Sequence, residues 1–317
     1  MGLFRSKSVA AAPKPLFKER FKAWWEGYEL PAPPVPEAVE PQLQKNVAEG
    51  PSSPLPPLEE PIVKVQMAIW GDGNSRPGSA EYVSYLVKPF ALNPSMSILD
   101  FGCGLGGGTR TIAKDFDVYV TGYEPDRILA EAGKALSIKQ GLDKKAAISH
   151  FDPKTTGLKT GQFDCVFCAD KMHLVPGKQA LLTSLEASLK IRGQITIIDT
   201  VLGQGVALDD PRLGKVLGAA AQEQSLFWSV GDYEKAFRDL KFDLRIGEDI
   251  TERYRKLVTE GWDGFVRNPE GQAASRNYPD VTVAEAEFWQ RRLAAYDAGL
   301  LRIYRFYAIK MGSSKTG

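Results

Sequence analysis

The chain has 317 residues, 43% of them hydrophobic, and its 40 basic and 39 acidic side chains leave a net charge of +1. That length and apolar content suffice for one large domain with appendages. The charge balance excludes a whole-molecule electrostatic footprint for nucleic acid, and no apolar run approaches the roughly 20 residues that cross a bilayer.

The first residues lack a signal-peptide h-region and a small-residue cleavage site, so a cytoplasmic protein is expected, free or held peripherally on the inner face of a membrane. Leu16–Leu30 places Phe17, Phe21, Trp24, Trp25 and Tyr28 on one face of a helix and Lys18, Arg20 and Lys22 on the other. Residues 14–30 of this basic segment (1–30) can meet a membrane surface or a protein partner, or pack on the chain's own domain. Residues 31–61, dense in Pro, Glu and Ala, read as a disordered linker.

From residue 62 helices and strands alternate. A helix is expected over Ser79–Phe90, then strands at Ser97–Asp100, Val118–Tyr123, Ala147–His150, Phe163–Cys168 and Gln194–Thr200. Helices separate them at Thr109–Lys114, Asp126–Gln140 and Lys178–Lys190. The alternation predicts an α/β, Rossmann-like, doubly wound and mostly parallel sheet. A helical insertion over Pro211–Leu226 and a helix at Tyr233–Leu240 follow. Two late strands, Phe242–Ile246 and Leu301–Lys310, close a seven-stranded sheet as an antiparallel hairpin. Lid insertions are expected at about 203–231 and 251–300.

The segment Ile98–Thr109 carries the sharpest signal. An apolar strand ends on Asp100 and breaks into glycines at 102, 104, 106, 107 and 108, after which a helix begins. Glycine is needed where a ligand lies against backbone that any Cβ would hold off. The next strand ends on Glu124, at the spacing where a carboxylate meets ribose hydroxyls. Asp100 could instead end a strand, and Glu124 could cap the helix that Pro125 begins. Cys165 and Cys168 have C-x-x-C spacing, but strand alternation turns them to opposite faces and no second pair completes a zinc set, so no metal is expected.

Asp100-Phe-Gly-Cys-Gly-Leu-Gly106, Glu124, Asp152, Phe163–Asp170 and Leu189–Asp199 together resemble the class I S-adenosylmethionine-dependent methyltransferases. Trp70-Gly-Asp-Gly and Leu301–Lys310 resemble its small-molecule branch, which methylates sarcosine-type amines, phosphoethanolamine or lipid amines, and quinones. The resemblance spans residue 62 to the end. It implies S-adenosylmethionine as cofactor, held by Asp100, Gly102, Gly104, Gly106, Glu124, Pro125, Asp152, Ala169 and Asp170. It also implies a small-molecule or lipid-like acceptor.

Methyl transfer is an in-line displacement that positioning alone can drive, so a general base is optional. His173, Tyr233 and Asp249 are the catalytic candidates. Trp70, His173, Trp228 and Tyr254 are the candidates for acceptor contact, the aromatics through cation–π attraction to an amine. Trp228 and Tyr233 could equally anchor the insertion helix. Lys171-Met172-His173 stands where nucleic-acid and glutamine methylation would show Asn-Pro-Pro-Tyr. Two other readings stay open: a catalytically silent S-adenosylmethionine-binding fold serving as assembly or regulatory partner, and an NAD-dependent oxidoreductase sharing the first βαβ unit.

Overall fold

In the computed structural model the described residues are 55–152, 157–218 and 226–312. The amphipathic segment 14–30 and most of the Pro-rich stretch lie outside them. Strand β1 (Ser97–Phe101) pairs in parallel with β2 (Tyr119–Glu124) on one side and β4 (Phe163–Ala169) on the other. Beyond β2 lies β3 (Ala146–His150), and beyond β4 lies β5 (Leu189–Leu202), both also parallel. Strands β6 (Phe242–Asp249) and β7 (Leu301–Lys310) complete the order β3-β2-β1-β4-β5-β7-β6. Strand β7 is antiparallel to both neighbours.

The parallel centre is buried on both faces, which is why β1 and β4 read as nearly unbroken apolar runs. One face packs Leu99, Phe101, Val166, Ile197 and Phe306 with Leu182, Leu185 and Phe237 in a single core. Leu182 and Leu185 come from helix α5 (Lys178–Ser188), and Phe237 from α7 (Val230–Asp239). A capping box between Ser229 and Asp232 starts α7. The other connecting helices are α3 (Gly107–Phe116) and α4 (Arg127–Lys139), and Asp126 caps the latter by accepting from the Leu129 N–H at 3.0 Å.

Several bounds differ from the sequence reading. The fold reaches upstream of residue 62: a turn at Pro57–Glu59 sets Leu58 against Leu105 and Leu129, and α1 (Pro61–Trp70) follows. Helix α2 (Ala80–Val87) matches expectation, with a 3-10 turn over Lys88–Phe90. Strand β5 begins at Leu189 rather than Gln194, because Arg192 adopts a positive φ of 62° and lets the chain re-enter the ladder. The helix expected over 211–226 is α6 (Pro211–Leu217), ended by Gly218 at φ 57°; residues 219–225 lie outside the description.

The excursion after β6 is helical: α8 (Thr251–Arg267), α9 (Pro269–Asn277) and α10 (Pro279–Asp297). Proline opens α9 and α10, where its missing N–H costs nothing. Trp70 at the end of α1 locks this layer in place, with its ring 5.0 Å from Trp289 and 6.5 Å from Trp262. Gly261 lets the Trp70 ring reach α8, since a Cβ there would come within 2.6 Å of it. Among the described residues no helix is long and apolar enough to cross a membrane.

Candidate active site

The parallel strands deliver their carboxyl ends to one edge of the sheet, and the order reverses between β1 and β4. A crevice opens outside the strand ends at such a point. The loop leaving β1 turns on Gly102, Gly104 and Gly106, all with φ between 59° and 79°. Those angles strain any side-chain-bearing residue. Arg110 of α3 underpins the loop by donating to the Leu105 carbonyl at 2.8 Å and to the Gly73 carbonyl at 3.0 Å.

Two buried carboxylates flank this loop. Asp100, at the end of β1, accepts from the Thr109 hydroxyl at 2.6 Å. Burial lifts its carboxyl to about 6, against the Thr109 bond and the nearby Arg76. Glu124, fully buried at the end of β2, accepts from the Gly104 N–H at 2.7 Å and the Asp126 N–H at 2.9 Å. Its other contact is the Lys171 ammonium, 2.9 Å away. Burial alone would raise Glu124, but Lys171, the Asp126 N–H and Arg76 together hold it below the usual carboxylate range.

The cradle over the glycines is filled by the chain's own polar groups. A Cβ on Gly104 would strike the Ser75 hydroxyl, one on Gly107 the Asn74 amide, and one on Gly102 the Lys171 stem. Arg76 donates to the Gly102 carbonyl. Its guanidinium loses hydration there, yet Asp170, Glu124 and Asp100 more than compensate and raise its proton affinity. The segment Gly71–Ser79 thus lies across the loop as a strap.

A second group of charges sits at the end of β4 and on the stretch of β5 beside it. Asp170 takes a positive φ of 55° just past β4 and accepts from the Tyr254 hydroxyl. His173 lies in the following turn, with Nδ1 2.8 Å from Asp199 Oδ1. Asp199 Oδ2 accepts from the Tyr233 hydroxyl at 2.6 Å and lies 3.5 Å from Lys178 Nζ.

A family described as a methyltransferase domain matches residues 98–193. Phosphoethanolamine N-methyltransferase 1 of Zea mays is 24% identical over 247 residues, 76% of this chain and 47% of that protein. Phosphoethanolamine N-methyltransferase 1 of Arabidopsis thaliana is 30% identical over 216 residues, 67% of this chain and 43% of that protein. The chain therefore spans about half the length of the curated relatives it matches. The solved Haemonchus contortus phosphoethanolamine N-methyltransferase 2, in complex with S-adenosyl-L-methionine, shares the fold with a TM-score of 0.67. That likeness covers 80% of this chain and 58% of that one at 20% identity. These likenesses support a class I S-adenosylmethionine-dependent methyltransferase.

The residues expected around the glycine loop do gather there. Asp100, Gly102, Gly104, Gly106 and Glu124 line one cradle, with the Pro125 carbonyl 3.0 Å from His150 Nε2 beside it. Asp152 follows Phe151, whose N–H donates to the Glu124 carbonyl at 3.0 Å. Ala169 ends β4 directly before Asp170. The donor set fits the cofactor that the family implies: a buried diacceptor stands one strand from a buried carboxylate, over positive-φ glycines.

The acceptor candidates are more scattered. His173 and Tyr254 converge on Asp170, with His173 Nδ1 3.9 Å from its Oδ1. Trp70 is buried in the tryptophan cluster, and Trp228 packs edge-on to Tyr233 at 5.2 Å. Tyr233 is wholly buried with its hydroxyl spent on Asp199. Asp249 accepts from Thr251 N at 2.9 Å at the start of α8 and lines a separate open cleft of about 450 Å³ with Glu248, Arg253, Tyr296 and Arg302. None of the glycine-loop residues lines that cleft.

Sequence reasoning missed Arg76, Lys171, Lys178 and Asp199. Arg76 sits in a Gly/Pro/Asn/Ser-rich stretch that reads only as a loop. Asp199, an acidic residue set in an apolar strand, carried a usable signal. The three cysteines are buried and free, and burial pushes the Cys165 thiol up to about 12. Among the described residues no three His, Cys, Asp or Glu side chains are grouped to hold a metal ion.

Proposed function

We propose that the chain binds S-adenosylmethionine across the glycine loop and transfers its methyl group to a small-molecule or lipid-like acceptor. The observation that carries this reading is the pair of buried carboxylates, Asp100 and Glu124, on adjacent parallel strands beside positive-φ glycines. When bound, the cofactor supplies an electrophilic methyl group on a sulfonium. Glu124 takes the ribose hydroxyls, Asp100 faces the ammonium, and Asp152 accepts from the adenine amino group. Gly102, Gly104, Gly106, Pro125, Ala169 and Asp170 give backbone room along the ligand.

Lys171 and the strap bearing Ser75 and Arg76 must withdraw for this to happen, because they hold the same carboxylates and the same space. On the acceptor side, His173, Asp170 and Tyr254 form the wall of the site. Tyr233 serves beneath them as a support, since a hydroxyl already bonded to Asp199 has no reach to a substrate. The segment 14–30 brings the domain to a membrane surface where a lipid-like acceptor resides, or to a protein partner.

Calorimetry of the full-length protein with S-adenosylmethionine and with NAD tests the cofactor. Micromolar binding of the former alone is expected, and Glu124→Gln should weaken it by roughly 100-fold, the loss of charge-assisted bonds worth about 3 kcal/mol. Heat with NAD only would overturn the reading. Incubation of a lipid extract and an aqueous extract with methyl-labelled cofactor then tests transfer; cofactor binding with no labelled product would favour a silent fold.

A further inference from the structure

Asp199 is the most heavily bonded side chain of the sheet edge, and nothing in the cofactor cradle requires it. It is completely buried within β5, one position past the Ile198–Ala169 pair where the pairing with β4 stops, so it stands beside Asp170 at the mouth of the crevice. Its Oδ1 accepts from the backbone N–H of His173 at 2.8 Å and faces the ring Nδ1 of the same residue at 2.8 Å. Its Oδ2 accepts from Tyr233 and faces Lys178. A carboxylate in that position is costly unless every lone pair is used. Here burial would raise its proton affinity, but His173, Lys178 and Tyr233 outweigh burial and keep it ionised.

Lys178 is equally unusual. It is buried, its ammonium donates to the Leu226 carbonyl at 2.9 Å, and it lies 5.2 Å from the Trp228 ring and 5.5 Å from the Tyr233 ring. Its positive charge offsets the Asp199 charge within the buried cluster. An acceptor-only carboxylate oxygen at Nδ1 forces the proton of a neutral imidazole onto Nδ1. Nε2 is then a bare lone pair on the far side of the ring, and it makes no hydrogen bond to any described residue. The ring plane is fixed by stacking on Phe227, with centroids 6.1 Å apart and an interplanar angle of 13°.

We propose that Asp199 is a positioning residue that locks His173 as the Nδ1–H tautomer, so that Nε2 receives the proton of a protic methyl acceptor. Lys178 and Tyr233 hold the carboxylate in place. The proposal rests on the methyl-transfer reading and narrows its acceptor to an amine, hydroxyl or phenol that must shed a proton. In the balanced step the acceptor heteroatom forms a bond to the methyl carbon as the carbon–sulfur bond breaks, its electron pair leaving on sulfur. The acceptor's proton passes to Nε2, which yields an imidazolium beside Asp199. That charge is the one Asp199 is placed to stabilise.

The chain has two histidines, which makes the test direct. Nitrogen-15 histidine spectra of the full-length protein, assigned with His150→Gln, should show His173 protonated on Nδ1 and bare on Nε2. Asp199→Ala should return it to the Nε2–H form favoured by free imidazole, and Tyr233→Phe should retain the Nδ1–H form even if the alanine variant fails to fold. Asp199→Asn should lower methyl transfer from labelled cofactor into cell extract by about 100-fold or more, with the calorimetric affinity for S-adenosylmethionine unchanged within about twofold. A wild-type His173 protonated on Nε2 overturns the proposal whatever the cofactor result. Loss of S-adenosylmethionine binding in the wild type would instead remove the underlying reading and leave the tautomer finding standing.

Discussion

Asp100 offers the most quantitative test of the site. Burial lifts its carboxyl from the ordinary 3.8 to about 6, the net of lost hydration and repulsion from Glu124 against the Thr109 hydroxyl and Arg76. At about 1.36 kcal/mol for each tenfold change in proton affinity, keeping it ionised in the folded chain costs ~3 kcal/mol. The folded carboxyl binds its proton more tightly than the unfolded one. The cost is therefore full above about pH 6 and fades to nothing as the pH falls below 3.8. Asp100→Asn removes that charge and still offers Thr109 an acceptor, while its unpaired amide N–H groups take back ~1 kcal/mol. The variant should be about 2 kcal/mol more stable than wild type at pH 8 and about 0.5 kcal/mol less stable at pH 4. Urea unfolding followed by tryptophan fluorescence at the two pH values reads this directly. A variant destabilised equally at both would refute the assignment of Asp100 as a strained, buried charge. Its affinity for S-adenosylmethionine should fall together with the gain at pH 8, because the charge that costs stability is the one offered to the ammonium.

Three further outcomes follow from the same geometry. Lys171→Met frees Glu124 of its internal partner, so calorimetric affinity for S-adenosylmethionine should tighten about tenfold while the ligand-free melting temperature drops, the buried Glu124 charge having lost its offset; weaker binding would show that Lys171 assists the ligand. Gly104→Ala should cost about 1–2 kcal/mol of stability at its φ of 59° and abolish cofactor binding, measured by thermal melt and calorimetry. Full-length protein should float with anionic vesicles in a density gradient and a chain lacking residues 1–54 should not; equal partitioning would leave the membrane role of segment 14–30 without support.

The parts of the site built from backbone requirement were legible in the sequence. Glycines at 102, 104 and 106 stand where the chain turns through positive φ, and Asp100 and Glu124 end apolar strands where a buried carboxylate has no packing role. The parallel sheet followed from alternation, and the reversal at β1 and β4 set the crevice. What could not be read were contacts between segments far apart in the chain. Arg76 lies beside Asp170 and Glu124 only because α1 and α2 bring the strap back over the loop. Tyr254 meets Asp170 only because α8 folds across the sheet edge. The helices between 251 and 297 were obscured by repeated proline, glycine and charge, whose helical role depends on position and not on type. Tyr233 and Asp199 each looked ordinary alone; their meaning lies in their pairing.

The strap over the glycines carries a kinetic consequence. A ligand entering this cradle must break the Lys171–Glu124 and Arg76–Gly102 contacts, so its observed affinity is its intrinsic affinity reduced by that displacement. The same groups remain tethered at the rim, at high effective concentration, once the ligand is bound. They recapture the carboxylate whenever the ligand loosens, which shortens residence time without altering any contact the ligand makes. Substitutions in residues 71–79 should therefore change how fast a ligand leaves this cradle more than which contacts it makes there.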